Sequence, residues 1–354
     1  MKQQALSDIT FEWASSYSMP SNAPIYMGLR YQSMLAAYDG GQVRLLVCSR
    51  GGYTAWLPML VKEIGNGVCE AYSAYGYGGF FGDLKLSIID IHRLKDYLAR
   101  ARIIAIFLRH SPFLFNQSML PEGLITLNRH TYVADLSASG SFDDFLTLIS
   151  QKLRWSVNYA LRAGLNVTFY PLSNCGKERI HSFYSQYAML MTEKKVSDYH
   201  QFSESFFQDH ALYIGADCEF AEITTMDGQF MGGAFFLLDN SGMAHYHLSA
   251  LSRNAMKLQG MELLMLSALY RFGARGYSKL HLGGGHALDE SDGLSRFKAK
   301  FASQRLNFYC SMLICDEVSY SHERSRLPLS HSAFFLISDA RGKPRVPEAT
   351  CLGS

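Results

Sequence analysis

The chain has 354 residues, 48% hydrophobic and 18% charged, enough for two domains or one large α/β domain with a sizeable core. This excludes a disordered or collagen-like protein. Lys plus Arg number 33 against 31 acids, a net charge of +2, so the chain as a whole is not a basic nucleic-acid coat and DNA is not an expected partner.

In chain order, 24–38 reads as a helix stopped by Asp39, Gly40 and Gly41. Strands are expected over 42–49 and 53–61, about the turn Arg50-Gly51-Gly52. A Gly- and Tyr-rich stretch, YSAYGYGGFFG, fills 72–82. A helix over 86–101, strands over 103–108 and 130–136, and helix over 142–163 broken near Ser150 follow. Next come a helix over 177–192 and strands over 220–225, 230–238 and 244–250. An amphipathic helix over 261–274 is closed by Gly276. A buried strand over 277–282 ends in Gly283, Gly284 and Gly285, before a helix over 291–301 and a strand over 307–314. The tail after Tyr320 is rich in Ser, Arg and Pro.

The hairpins 42–61 and 219–238 share a pattern: a short strand, a glycine turn, then a longer apolar strand. Their offset of about 175 residues predicts one α/β unit used twice, over 1–136 and 137–320, each with a mixed, mainly antiparallel sheet. Residues 321–354 are left as a tail expected to pack back on the first domain. Seven scattered cysteines, none spaced CxxC, point to reduced thiols and no zinc site. Neither a signal peptide nor an apolar run of ~20 residues is present, so a soluble cytoplasmic protein with no integral membrane segment is expected.

Chemistry concentrates in the second half. The segment RNAMKLQG (253–260) reads as a loop into a long helix, whose N-terminal N–H groups suit an anion. Arg253 and Lys257 add charge there, beside Gln259 and Gly260. From 294 to 305 there are four cations and no acid, with Arg296 and Lys300 on one helix face and Lys298 on another. His245 and His247 share one face of a strand and His281 lies on a neighbouring one, three candidate bases.

The segments LGGG…DGLSRFKAKF (282–301), QKLRWSVNYALRAGLNV (151–167) and YGYGG (75–79) resemble the Fem aminoacyltransferases and their BioF2-like GNAT relatives. The resemblance runs from about Leu45 to Tyr320. It implies two tandem GNAT-like domains of α/β (α+β) class and transfer of an acyl group to an amine or hydroxyl of a cell-envelope precursor. It places Phe297 and Lys298 at the reaction centre. In GNAT proteins a loop Arg/Gln-x-x-Gly-x-Gly/Ala holds the pyrophosphate of acyl-coenzyme A; here only Gly260 of its glycines is present. Acyl-CoA, acetyl-CoA first, is thus the expected donor, held by Arg253, Lys257, Gln259 and Gly260, with backbone N–H groups near Ser249 and Ala250 for the acyl carbonyl. The expected acceptor is a small or nucleotide-linked molecule meeting Tyr75, Tyr77, Gly78, Gly79, Arg154, Gly283, Gly284 and His281, with no metal. Two alternatives remain. One is an aminoacyl-tRNA donor, which near-neutral charge disfavours, and the other a non-catalytic binding or assembly subunit.

Overall fold

The computed structural model describes residues 8–136, 140–194, 201–285, 288, 292–327 and 335–341. In chain order the elements begin with β1 (Thr10–Trp13), α1 (Leu29–Asp39), β2 (Gln42–Arg50), β3 (Tyr53–Gly65) and β4 (Val68–Tyr72). Then come β5 (Phe81–Gly82), α2 (Ile88–Arg100), β6 (Ile103–Arg109), β7 (Thr126–Asp135), α3 (Phe142–Leu148) and α4 (Gln151–Arg162). Next are β8 (Asn166–Pro171), α5 (Lys177–Glu193), α6 (Glu204–Ile214), β9 (Cys218–Thr224), β10 (Phe230–Leu238) and β11 (Met243–Leu251). The rest are α7 (Arg253–Lys257), α8 (Gly260–Ala274), β12 (Lys279–Gly284), α9 (Gly293–Ala299), β13 (Gln304–Ile314), α10 (Glu317–Ser325) and α11 (Ile337–Arg341).

The local chemistry accounts for these bounds. Gly51 and Gly52 both have positive φ, which a two-residue hairpin turn twisted like its strands requires, so Arg50 pairs with Tyr53. Ser87 and Asp90 form a capping box on α2. Ser150 caps α4 with its side chain, which is why the helix expected over 142–163 divides there into α3 and α4.

Contacts divide the chain into two compact units, 1–129 with 307–354, and 130–306. In the first, the order is β1-β2-β3-β4-β6-β13, antiparallel except for the parallel β4–β6 pair. In the second, the order is β8-β9-β10-β11-β12-β7, antiparallel except for the parallel β11–β12 pair. Both are mixed, mainly antiparallel sheets with flanking helices, as expected. In each, a run of antiparallel strands leads through a helix to a parallel strand. The third strand of the first set is 68–72, just before the Gly- and Tyr-rich stretch.

The spans differ from those expected because of the last strand of each sheet. The strand after β6 in sequence, β7, pairs with β12, and the strand after β12, β13, pairs with β6. Residues 130–136 therefore belong to the second unit and 307–320 to the first.

In the first unit α2 lays Ile91, Leu94 and Leu98 onto Leu46, Leu57 and Leu108. In the second, α8 is apolar nearly all round and is buried against Phe236, Leu280 and Val157 of α4. The opposite face of that sheet carries an aromatic cluster, with Phe183 of α5 stacked on Phe235 at 4.6 Å.

Candidate active site

The site is organised by the place where two strands stop pairing. β11 and β12 run parallel for three pairs, ending at His245↔His281, although β11 continues to Leu251 and β12 to Gly284. A bulge lies on each strand at this point. His247 is passed over in the register between β11 and β10, and Leu282 in that between β12 and β7.

Lys298 lies at this opening. It is only 7% exposed, its Nζ donates to the Gly284 carbonyl at 2.6 Å, and the same ammonium sits 5.9 Å over the Tyr246 ring. One cation thus touches the end of β12 and the side chain that follows the last pair on β11. Gly283, at φ +74°, has no side chain to crowd it; a Cβ there would stand 3.1 Å from Nζ. α9 is set by Asp292, which accepts from Leu294 and Ser295 N–H groups. Its register turns Lys298 inward and leaves Arg296 and Lys300 outside, Lys300 paired with Glu262 at 3.0 Å.

Tyr246 hydrogen-bonds Ser249 Oγ, and burial pushes its phenol up to about 12, so it stays a neutral hydroxyl. His245 and His281 are buried with rings 5.6 Å apart, and His245 Nε2 stands 3.6 Å from Asp239 Oδ2. Burial, with His245 and Lys298 nearby, holds His281 neutral and well below the usual imidazole range. His247 is partly exposed, and its Nε2 meets His210 Nε2 at 3.1 Å. Burial and the neighbouring histidines lower His247 as well.

The structure thus gathers Lys298, Gly283, Gly284, His281, His245 and His247 about the strand opening. Several other candidates are placed elsewhere. Phe297 faces the core, edge-on to Phe301 at 5.0 Å, so it packs rather than points at the opening. Residues 253–257 are not a loop but the helix α7, capped by Ser252. Arg253 pairs with Glu193 at 3.0 Å, and Lys257 is exposed on α7. Gly260 is buried, and a Cβ there would stand 2.9 Å from the Ala255 carbonyl oxygen, while Gln259 takes the left-handed turn before α8. Ala250 is fully buried opposite Gly233. Arg154 donates to the Thr147 and Ile149 carbonyls and so closes the C-terminal end of α3 instead of awaiting a phosphate.

The aromatic loop lies in the first unit and is fixed there. Tyr77 packs in perpendicular ring contacts with Tyr26, Phe113 and Phe308. The Tyr75 carbonyl accepts from Tyr31. Gly78 and Gly79 fit against Ser73, His110 and Asn116, and Asn116 Nδ2 donates to the carbonyls of Gly78 and Phe80. This is a packed loop.

Two residues were missed. Tyr246 gave no signal beyond its place between two histidines. His210 carries no motif of its own; its signal is Phe206, Phe207, His210 and Ile214 at helical spacing, which mark the buried face of α6. Among the described residues no group of three or more His, Cys, Asp or Glu could hold a metal, and no helix is long and apolar enough to cross a membrane.

Residues 150–298 match a family model described as an acetyltransferase (GNAT) domain. No curated protein matches the chain in sequence. Among solved structures, FemX is similar at a TM-score of 0.61 and 13% identity, over 85% of this chain and 94% of that one. The C-terminal domain of a putative lysylphosphatidylglycerol synthetase from Agrobacterium fabrum is similar at 0.51 and 17%, over 81% and 88%. A conserved protein from Bacteroides thetaiotaomicron is similar at 0.52 and 11%, over 80% and 89%. Residues 150–298 thus carry a match to an acetyltransferase (GNAT) domain, and the fold of the chain is similar to that of FemX.

Proposed function

We propose that the protein is an N-acyltransferase that moves an acyl group, acetyl first among the candidates, from acyl-CoA to an amine of a cell-envelope polysaccharide or peptidoglycan-type precursor. The observation that carries this reading is the Lys298 ammonium at the opening between β11 and β12. Attack of a neutral amine on an acyl carbonyl makes an oxyanion, and a buried cation is worth most where charge develops in the transition state. Collapse of that intermediate forms the amide and releases the donor's thiol. The attacking nitrogen must also lose a proton. His247, neutral and partly exposed on the bulge, is the group assigned to take it. Its low basicity suffices, because the nitrogen becomes acidic once it has attacked.

The donor thioester supplies the activated acyl group. Lys257 and the first N–H groups of α8 are the positions assigned to its phosphates, and backbone near Ser249 to its acyl arm. The envelope acceptor draws support from the fold likeness to FemX and to a lysylphosphatidylglycerol synthetase.

A second reading, an aminoacyl-tRNA donor, draws support from α7: its helix stands where an open pyrophosphate loop would be expected. Calorimetry with coenzyme A separates the two. The first reading expects binding that weakens with salt and with Lys257→Ala. Binding of aminoacyl-tRNA without binding of coenzyme A promotes the second, and failure of both sinks the transferase assignment.

A further inference from the structure

His210 lies on α6, fully buried, and is not itself at the strand opening. Its ring is held from two sides. Nδ1 stands 2.7 Å from the Phe206 carbonyl oxygen, and Nε2 stands 3.1 Å from His247 Nε2. The Phe206 ring packs edge-on against it at 4.6 Å. A carbonyl oxygen can only accept, so Nδ1 of His210 carries a hydrogen. In the neutral ring Nε2 then carries the lone pair. Two facing nitrogens need one hydrogen between them, so that hydrogen belongs to His247 Nε2, and the lone pair of a neutral His247 is on Nδ1. Burial lowers His210 to about 4, which removes the doubly protonated form at neutral pH.

We propose that His210 is a positioning residue that fixes His247 as its Nε2–H tautomer and so presents Nδ1 as the proton acceptor of the transfer reaction. The role of Nδ1 rests on the base assignment made above; the tautomer does not. The logic is that of a base oriented by a third group, with a buried imidazole as the orienting acceptor.

The test is long-range 1H–15N NMR of the full chain labelled with 15N-histidine, without donor or acceptor. His247 is assigned by its loss in His247→Gln. The expected result at pH 7.5 is a pyrrole-type Nε2 and a pyridine-type Nδ1 for His247. His210→Phe, which fills the space but cannot accept, should convert this to mixed tautomers. His210→Gln, whose carbonyl oxygen can accept near the place of Nε2, should restore it. A purely packing role predicts the reverse order of tolerance, because an apolar ring suits a buried site better than an amide. A pyridine-type Nε2 on His247 in the unmodified protein overturns the proposal, as does an unchanged tautomer in a folded His210→Phe. A retained tautomer in a protein that transfers nothing would instead sink the functional reading and leave the role of His210 standing.

Discussion

Lys298 Nζ donates to the Gly284 carbonyl at 2.6 Å while resting 5.9 Å over the Tyr246 ring, so one buried cation spans two strands that have just stopped pairing. A hydrogen bond from a charged group contributes ~1.5–3 kcal/mol, more than a solvated lysine could. Lys298→Met keeps the apolar stem and deletes the charge. It should lower kcat by ~10²–10³, the scale of a lost oxyanion-hole donor. It should also lower stability by ~1.5–3 kcal/mol, read as a shifted urea midpoint. A variant that loses the stability and keeps its turnover would make Lys298 a strut between strands, with no part in transfer.

The sequence carried much of the fold because its signals were local. Glycine turns, the cap at Ser150 and the alternating apolar strands each act over a few residues, and the structure repeats them. Strand exchange at the end of each sheet was not legible, since β7 and β13 look the same whichever sheet they join. At the site, Lys298 could be separated from Arg296 and Lys300 by helical spacing alone. Phe297, Arg154 and Tyr77 could not be sorted that way. A side chain that caps a helix or packs edge-on in an aromatic cluster has the same residue type and spacing as one that waits for a ligand. His210 was missed because its meaning depends on a partner 37 positions away.

Gly232 shows how tightly the bulged strands are built. It has φ +126°, and a Cβ on it would stand 2.3 Å from the Ala250 carbonyl oxygen and 2.6 Å from Leu251 Cα. Both are backbone atoms, so no side chain can swing aside. Gly232→Ala should therefore cost ~2–5 kcal/mol, combining backbone strain with overpacking. Thermal unfolding should report a fall of several degrees. An unshifted melting temperature would mean that β10 and β11 part easily here.

Buried neutral histidines set the acid limit of stability. Burial lowers His110 and His210 to about 4, against ~6.5 in an unfolded chain. Between those values the unfolded chain binds protons that the folded one refuses. Stability is therefore complete above pH ~6.5 and falls as pH drops toward 4, by ~1.4 kcal/mol per pH unit for each such histidine. Urea unfolding should give a flat plateau from pH 7 to 8 and a clear loss by pH 5. His110→Gln should reduce that slope. Equal stability at pH 7 and pH 5 would contradict this account.

Glu70 is fully buried in the first unit, and its two carboxylate oxygens accept from the backbone N–H groups of Ile337 at 2.7 Å and Ser338 at 2.9 Å. The N-terminal turn of a helix leaves such donors without partners inside the helix, and a carboxylate meets them well. Ile337 is itself fully buried, among Ile64, Val68, Ile104 and Tyr320. The acid and the apolar side chain thus hold one segment by different means. Glu70→Gln preserves the volume but turns an amide N–H toward one of the donors. The cost should be ~1–3 kcal/mol for the buried donor left unmet. Because the contact joins residues 267 positions apart, the loss should be felt first as local opening of 335–341. Hydrogen exchange should show that segment losing protection, while β2, β3 and α2 keep theirs. Protection lost evenly across the unit would make Glu70 part of the global core, and protection unchanged would show that the packing of Ile337 and the contacts of Phe335 hold the segment without it.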